Sequence, residues 1–268
     1  MTIPIDSLIA AKAAAVAGWL ALLFVLERLR PAAPWPAEQG RFGWRRVARN
    51  AALWAINTAL SPLIVVPLAA WAGGLHVGLR PAWWNTALDL LVLDLWVYAW
   101  HRANHEVPLL WRFHAVHHLD PFLDTTSAVR FHFGEVLLST LARLPVIVAL
   151  DMPLLSVVLF EALVLAAALF HHSNLKLPAG LERALSWVVV TPSIHWVHHH
   201  AVRADTDSNY ATVLSVWDRL FGSRSPTPRT PAMPIGLEGA REPGFAALLL
   251  SPFRRPVSRR APAGSPAP

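Results

Sequence analysis

Long apolar runs separated by short polar segments dominate the first two thirds of the chain. Five apolar stretches stand out, at residues 7–26, 51–72, 83–100, 136–150 and 153–170. The first three each have close to the roughly 20 residues that a helix needs to cross the hydrocarbon of a bilayer. The last two are shorter and flank Asp151-Met152-Pro153, which indicates a tight membrane hairpin; a re-entrant pair is the alternative. The pattern predicts an all-α integral-membrane bundle of three spans plus a hairpin.

The composition agrees with a membrane protein. The chain is 54% hydrophobic and only 15% charged, whereas a soluble domain carries about 25% charged residues. Its 13 tryptophans favour the water–lipid interface. The net charge of +6 comes mainly from arginines beside apolar segments. We therefore expect anionic lipid headgroups rather than nucleic acid as the partner. Cysteine is absent, which excludes disulfides, thiolate nucleophiles and Cys-ligated iron–sulfur clusters in this chain.

The basic residues of the loops predict an orientation. Residues 27–50 contain six arginines, whereas residues 73–82 contain only Arg80. The positive-inside rule then places residues 27–50 in the cytosol. Counting crossings places the ends of the third and fifth stretches in the cytosol as well, together with residues 171–268.

The histidines are concentrated in one part of the chain. Twelve of the 13 lie between residues 101 and 200, and His76 is the exception. Eight of them form three boxes: His101 and His105; His114, His117 and His118; His195, His198 and His199. Helical positions i, i+3 and i+4 share one face, so each box should direct its imidazoles toward one point. Pro108 disfavours helix at the residue before it, so the chain can turn between the first two boxes.

Such a constellation is typical of a multinuclear metal site. Neutral imidazole suits iron, zinc, copper and nickel, while magnesium and calcium prefer oxygen ligands. Eight imidazoles exceed what one metal accepts, so two metals are expected. All three boxes also fall on the same predicted side of the membrane. The alternative is three unrelated interfacial histidine clusters.

Two further residues share a helix stripe with the first box. Asp94 and Tyr98 precede His101 and His105 at spacings of four, three and four residues. An acid within a membrane span is costly and is a functional candidate by default. We expect Asp94 to accept the free ring N–H of a liganding histidine, with Tyr98 beside it. The alternative is an acid that packs helices and pairs with arginine or backbone.

The motifs as a set resemble the fatty acid hydroxylase and sterol desaturase superfamily. The resemblance covers about residues 88–222, half of the chain. The matching runs are DLWVYAWHRANH from Asp94, WRFHAVHH from Trp111, RFHFGE from Arg130, FHHSNL from Phe170, TPSIHWVHH from Thr191, Asn209-Tyr210, and WDRLFG from Trp217. Their order and spacing match as well.

The resemblance implies a helical enzyme with a cytosolic histidine-rich cap and two iron ions, with zinc possible in purified samples. It carries the metal-ligand role to the eight box histidines, adds His172 as a ninth ligand, and suggests His132 as a tenth. The alternative for His132 is a histidine that bridges the cap and lipid headgroups. His171 and His200 are expected to be neighbours of ligands. The implied organisation is membrane spans over residues 1–82, a catalytic domain over 83–222, and a loosely ordered basic, proline-rich tail over 223–268.

The expected activity follows from that resemblance. It is hydroxylation, or alternatively desaturation, of a lipid, fatty-acyl or sterol-like substrate with O2. The chain shows no fused haem domain, and its lack of cysteine excludes a fused ferredoxin. Electrons are therefore expected from a separate electron-transfer protein. The alternative from another class is a non-enzymatic membrane protein that binds or transports metal. The sequence leaves the substrate, the electron donor and the oligomeric state open.

Overall fold

The computed structural model describes residues 5–36, 43–81 and 84–254, and these fold into α-helices without any β-strand. The all-helical prediction is therefore confirmed for the described part of the chain. The helices that build the bundle are α1 Ile5–Leu29, α2 Trp44–Leu60, α3 Val65–Gly74, α4 Thr86–Glu106, α5 Pro108–His118, α6 Phe133–Ala149 and α7 Leu154–His172. The shorter helices of the cap are α8 Ala179–Leu185, α9 Pro192–His198, α10 Arg203–Thr206, α11 Val216–Leu220 and α12 Phe245–Leu250. The described residues also contain 3-10 turns at Thr125–Val129 and Ser251–Phe253.

Fewer helices than expected are suited to crossing a membrane. Among the described residues, Ala10–Leu29 of α1 and all of α7 are long and apolar enough. Helices α2 and α3 meet at a bend of 48° and add a third crossing only if the bent pair is one span. The expected third span is present as helix α4, but Asp89, Asp94 and Arg102 lower its hydropathy. Helix α6 has 17 residues, short of the roughly 20 needed.

Helices α6 and α7 flank the turn at Asp151, where the membrane hairpin was predicted. Asp151 between them adopts a left-handed backbone with φ of 49°, a conformation that aspartate tolerates better than most residues. Its carboxylate accepts the backbone N–H groups of Val77 and Leu79 at 2.8 Å each. The hairpin tip therefore lies beside the loop that follows α3. His76 is at the same end, where its Nδ1 lies 2.8 Å from the Asp151 carbonyl oxygen.

Close packing of α3, α4, α6 and α7 forms an apolar core. Leu93, Ile147 and Phe160 are completely or almost completely buried in it. Burial of such a side chain contributes about 1.5–3 kcal/mol. Gly73 is needed for this packing, because a Cβ there would lie 2.9 Å from the Cα of Leu154. The core fixes the relative positions of the helices whose far ends carry the histidines.

One of the arginines that indicate orientation, Arg46 of α2, is buried in the protein interior. The Arg46 side chain is 1% exposed, and its Nη1 lies 2.9 Å from Asp120 Oδ2. A second contact joins Arg46 to Asp124. Ion pairing with two buried carboxylates offsets the desolvation of this guanidinium. Arg46 therefore stabilises the loop after α5 and does not contact lipid headgroups.

The described part of the expected tail is packed against the rest of the protein. Glu242 accepts hydrogen bonds from Arg49 Nε and Arg130 Nη1, both at 2.8 Å. Leu248 of α12 is fully buried with Leu53 and Val116. Residues 223–254 thus differ from the loosely ordered segment that their composition suggested, because one apolar run and one acid give them specific contacts. Residues 255–268 lie outside the described residues.

Candidate metal centre

The nine expected ligands converge from the ends of four structural elements. His101 and His105 lie in the last turns of α4, and the second box ends α5. His172 is the last residue of α7, while the third box spans α9 and the residue after it. As predicted, α4 stops before Pro108, and α5 begins at that residue and returns against α4. The helices therefore end where their imidazoles meet.

The ring nitrogens form two groups, and within each the potential ligand atoms lie within 4.8 Å of one another. The five-histidine group contains His101, His105, His114, His118 and His198. The four-histidine group contains His117, His172, His195 and His199.

The groups do not follow the boxes. His117 and His118 are consecutive in α5 yet join different groups, and the third box is divided in the same way. Consecutive helical residues point about 100° apart, so one box can supply ligands to two neighbouring centres. The two centres therefore share the helices that support them.

Hydrogen bonds donated by the outer ring nitrogens orient several of these imidazoles. The Nδ1–H of His101 is donated to the Tyr210 carbonyl at 2.8 Å, and that of His198 to the Ser208 carbonyl at 2.6 Å. His172 donates in the same way to the Ala168 carbonyl at 2.8 Å. These acceptors fix the tautomer that leaves Nε2 as a lone pair facing inward.

His114 has a charged partner instead of a carbonyl. Its Nδ1 lies 2.6 Å from Oε1 of Glu135, which is 6% exposed. A carboxylate at this place raises the basicity of the imidazole as a metal ligand. Glu135 lies in the RFHFGE run, but the sequence analysis did not single it out. Its signal was an acid directly before the apolar stretch 136–150.

The inward nitrogens can hold a cation between them. His101 Nε2 lies 3.1 Å from His114 Nε2, although both rings already donate through Nδ1. His117 and His172 repeat the arrangement, with 3.0 Å between their Nε2 atoms. Two neutral imidazoles in these tautomers direct lone pairs at each other, which is unfavourable without a proton or a metal. The donor sets therefore fit one metal ion per group.

Unpartnered nitrogens point to the same conclusion. Both ring nitrogens of His118 are buried without a hydrogen-bond partner among the described residues, and so is Nε2 of His198. Buried polar atoms without partners are costly and rare in proteins. Metal coordination would satisfy them.

Burial also sets the protonation state of the histidines outside the membrane helices. Desolvation, followed by neighbouring imidazoles, lowers the pKa of His118 well below its ordinary value. The same causes lower the pKa of His199. Both rings are consequently neutral near pH 7, which is the form that binds a metal.

Asp94 lies near the centre but has partners other than those expected. Its oxygens accept the Val213 N–H at 3.2 Å, the Leu214 N–H at 3.1 Å and the Trp217 indole N–H at 2.8 Å. The expectation of a bond from a histidine ring is therefore wrong, and the packing alternative describes the contacts. Seven helical residues separate Asp94 from His101, about 10 Å along α4, too far for direct contact.

Tyr98 is likewise connected to the ligand histidines only through a neighbouring segment. Its hydroxyl lies 2.9 Å from Ser223 Oγ, and its ring stacks on Phe221 at 5.2 Å between centroids. It belongs to the apolar cluster that holds the segment after α10. Tyr98 thus packs against the segment that contacts His101.

That segment is held by a second buried acid. Asp218 accepts the Tyr210 N–H at 2.8 Å and the Ala211 N–H at 3.1 Å. Asn209 adopts φ of 51° between the two residues whose carbonyls bind His198 and His101. Asp94 and Asp218 therefore position the imidazoles through the backbone. Sequence reasoning did not find this role because a backbone carbonyl leaves no residue-type signal.

The remaining histidines lie outside both groups. His132 caps the N-terminus of α6: its Nδ1 accepts the Gly134 N–H at 2.9 Å, and its Nε2 donates to the Leu249 carbonyl at 3.1 Å. The structure therefore does not place His132 as a tenth ligand. His171 lies beside the four-histidine group, with its ring centroid 4.0 Å from that of His195. His200 pairs with Asp205 at 2.7 Å.

A largely apolar cavity of about 370 Å³ opens onto the histidines. His101, His114 and His117 form part of its wall. Further along, the lining is mainly apolar and includes Val97 and Trp100 of α4 and Val164, Leu165 and Ala168 of α7. The volume lies in the range of small-molecule sites in proteins. The imidazoles and an apolar ligand chain can therefore meet in one cavity.

These features define a class of helical membrane proteins in which histidine groups able to hold metal ions line part of an apolar cavity. The family model of the fatty acid hydroxylases matches residues 86–223, about half of the chain. The chain belongs to the fatty acid hydroxylase family.

Several characterised proteins are similar to this chain. Ornithine lipid hydroxylase OlsE of Rhizobium tropici is 34% identical over 206 residues, which cover 75% of this chain and 61% of that protein. Alkylglycerol monooxygenase of Xenopus tropicalis is 33% identical over 145 residues, covering 54% of this chain and 30% of that protein. Cholesterol 25-hydroxylase-like protein of Danio rerio is 31% identical over 147 residues, covering 52% and 55%. The chain thus spans less than two thirds of each relative. No solved structure matches the chain.

Proposed function

We propose that this protein is a membrane-bound, non-haem di-iron oxygenase that hydroxylates a lipid. The observation that carries the proposal is the position of the two histidine groups at one end of an apolar cavity. The relatives support the reaction class, because their names describe hydroxylation or monooxygenation of an ornithine lipid, an alkylglycerol or cholesterol. Desaturation shares the first step, hydrogen abstraction, but none of these names describes it.

The metal-binding role is assigned to the nine converging histidines. One ion is held by the five-histidine group and the other by the four-histidine group. Iron is proposed as the active metal, and zinc, which imidazole also binds, can replace it in purified samples. When bound, the iron pair supplies the reduction of O2 and the oxidising power needed to attack an unactivated C–H bond.

The protein orients the imidazoles and excludes water from the site. Tyr210, Ser208 and Ala168 hold ring protons through their carbonyl oxygens, and Glu135 holds the proton of His114. The cavity wall binds the hydrocarbon chain by burying it, at about 25 cal/mol per Å² of apolar surface. Exclusion of water protects the reacting carbon from side reactions.

The electron donor is proposed to be a separate protein, and the site is proposed to face the cytosol. A second pocket, of about 440 Å³, reaches His105 and Tyr210 and is lined by the charged residues Arg102, Glu106 and Asp207. Its polar lining contrasts with the lipid cavity, so a water-soluble donor can approach the five-histidine group from this side. The arginine-rich segment 27–50 supports the cytosolic placement.

The same geometry disfavours a non-enzymatic metal protein. A structural metal site is closed and fully ligated by protein, whereas here an apolar cavity reaches the ligands. A transporter holds its ion near the bilayer midplane between broken helices. In this protein the histidines lie at helix ends, at the opposite end of α7 from the hairpin tip.

An oxidation assay with purified protein tests the proposal. Iron-loaded protein would be incubated with a bacterial lipid extract, a chemical reductant and air, and the lipids analysed by mass spectrometry. We expect one lipid species to gain one oxygen atom with the unmodified protein and with His76→Ala, but not with His118→Ala. Absence of any oxidised lipid with two irons bound would contradict the proposal.

A further inference from the structure

Three charged side chains from three helices meet within the apolar bundle. Lys12 Nζ of α1 lies 2.8 Å from Glu161 Oε2 of α7, and Arg143 Nη2 of α6 lies 3.1 Å from Glu161 Oε1. The three side chains are 24%, 26% and 12% exposed for Lys12, Glu161 and Arg143, respectively. Charged groups among membrane helices are costly, and they commonly mark a functional site. We call these residues the charged triad.

The charged triad lines a cavity that adjoins the cavity lined by the histidines. A third cavity, of about 320 Å³, is lined by all three side chains. It shares the wall formed by Phe131, Glu135 and Ser139 with the histidine-lined cavity. Arg143 itself lines both cavities. The two cavities are therefore parts of one trench between α6 and α7.

Helix periodicity explains this alignment. On α7, Glu161, Leu165, Ala168 and His172 follow at spacings of four, three and four residues, which puts them on one face. On α6, Arg143 lies eight residues beyond Glu135, or roughly 12 Å along the helix. Glu161 and His172 are separated by roughly 16 Å on the same scale.

The charges of the triad do not balance. Two cations share one carboxylate, so the triad carries a net charge of +1. The other carboxylate on this wall, Glu135, is already engaged at the histidine end, 2.6 Å from His114 Nδ1. An uncompensated cation in an apolar trench is unfavourable, and an anion bound beside it would restore neutrality.

We propose that the charged triad binds the anionic group of the lipid substrate, a carboxylate or a phosphate, and that this sets which lipids are oxidised. Arg143 supplies the contact, because it lines both cavities and its planar guanidinium matches either oxyanion. Glu161 holds Arg143 and Lys12 in place. The hydrocarbon chain then runs along the trench, so the carbon presented to the histidines lies well down the chain from the charged group. This inference rests on the proposed lipid oxidation.

Substitutions with opposite effects on charge separate this role from simple helix packing. Arg143→Gln or Lys12→Gln makes the triad neutral and should weaken anion binding. Glu161→Gln makes its net charge +2 and should strengthen anion binding. If the triad only joined helices, all three changes would lower stability without opposite effects on ligand preference. The matched control is Arg183→Gln, which removes an exposed arginine of α8 that lines none of the three cavities described above.

The measurement is the binding of stearic acid, octadecyl phosphate and methyl stearate to the full-length, iron-loaded protein in detergent, counted by native mass spectrometry. The unmodified protein should bind at least one of the two anionic lipids about tenfold more tightly than the neutral ester. Arg143→Gln and Lys12→Gln should reduce that preference to about twofold or less, Glu161→Gln should increase it, and Arg183→Gln should leave it unchanged.

The result that overturns the inference is equal binding of the three lipids by the unmodified protein, or an anion preference that survives both Arg143→Gln and Lys12→Gln. If Arg143→Gln does not fold, Lys12→Gln and Glu161→Gln still give opposite expectations. Bound iron and oxidation of the lipid extract are measured in parallel. Failure of the proposed function would appear there, independently of the binding preference.

Discussion

The Nε2 atoms of His101 and His114 face each other at 3.1 Å, although the Nδ1–H of each ring is already donated, to the Tyr210 carbonyl and to Glu135. Neither inward nitrogen then carries a proton, so the pair is stable only around a cation. His117 and His172 show the same relationship in the other group. The arrangement therefore supports the proposed pair of metals over a hydrogen-bonded network.

Removal of one histidine from each group should separate the two metals. We expect about two irons in the unmodified protein, and His118→Ala or His172→Ala should each lose about one, since each contributes to a different group. Elemental analysis of protein from iron-supplemented cells measures this. His76→Ala is the control and should keep both irons. Loss of both irons in each single variant would mean that the groups form one centre, and no iron in the unmodified protein would exclude the assignment.

Glu135 should tune the five-histidine group without being essential for folding. Glu135→Gln preserves the size of the side chain but removes the charge beside His114. Loss of such a partner typically costs about 10–100-fold in metal affinity or activity. Iron titration and lipid oxidation rates measure the effect. An affinity and a rate equal to those of the unmodified protein would show that the carboxylate does not act on His114.

His132 should behave as a helix cap. His132→Ala removes the acceptor for the Gly134 N–H at the start of α6, and loss of a cap costs about 0.5–2 kcal/mol. We expect a lower unfolding temperature with the same number of irons per chain. Elemental analysis beside thermal unfolding distinguishes the cap from a ligand. A loss of one iron would restore His132 to the ligand set.

Asp94 should affect both stability and turnover through the segment that it holds. Asp94→Asn places an amide N–H against backbone N–H groups, which costs about 1–3 kcal/mol for a buried donor left unpaired. The segment carries the Tyr210 carbonyl that orients His101, so oxidation should slow. The matched control is Asp89→Asn on the same helix, where the acid binds Trp84 and Ser156 far from the histidines.

Asp89→Asn should lower the unfolding temperature and leave the oxidation rate per folded molecule unchanged. The rate must be normalised to bound iron, which keeps incomplete metal loading from imitating slow turnover. Equal oxidation rates in the two variants would show that Asp94 serves packing alone.

The sequence predicted the convergence of the box histidines, because these side chains repeat at helical spacing. The three boxes follow from positions i, i+3 and i+4, and the turn before Pro108 follows from the properties of proline, whereas His172 was expected only from the family resemblance. It did not predict which histidines share a metal, because that depends on how α5 and α9 face α4. It also missed the carbonyls of Ser208 and Tyr210, which any residue type could supply.

The errors have different physical reasons, and the first is a partner distant in sequence. Asp94 was expected to reach a ring nitrogen, but backbone N–H groups 119 and 120 residues away occupy its oxygens. The membrane span expected over residues 51–72 bends by 48° between α2 and α3. Apolar length alone indicates burial and cannot distinguish lipid from neighbouring helices.

Incorporation of labelled oxygen tests the central claim most directly. Purified protein with two irons would be reduced under 18O2 with the lipid extract, and the products analysed by mass spectrometry. The account predicts a hydroxylated lipid that carries one 18O atom, and no such product from His118→Ala. A hydroxylated lipid without 18O, or the same labelled product from His118→Ala, would contradict it.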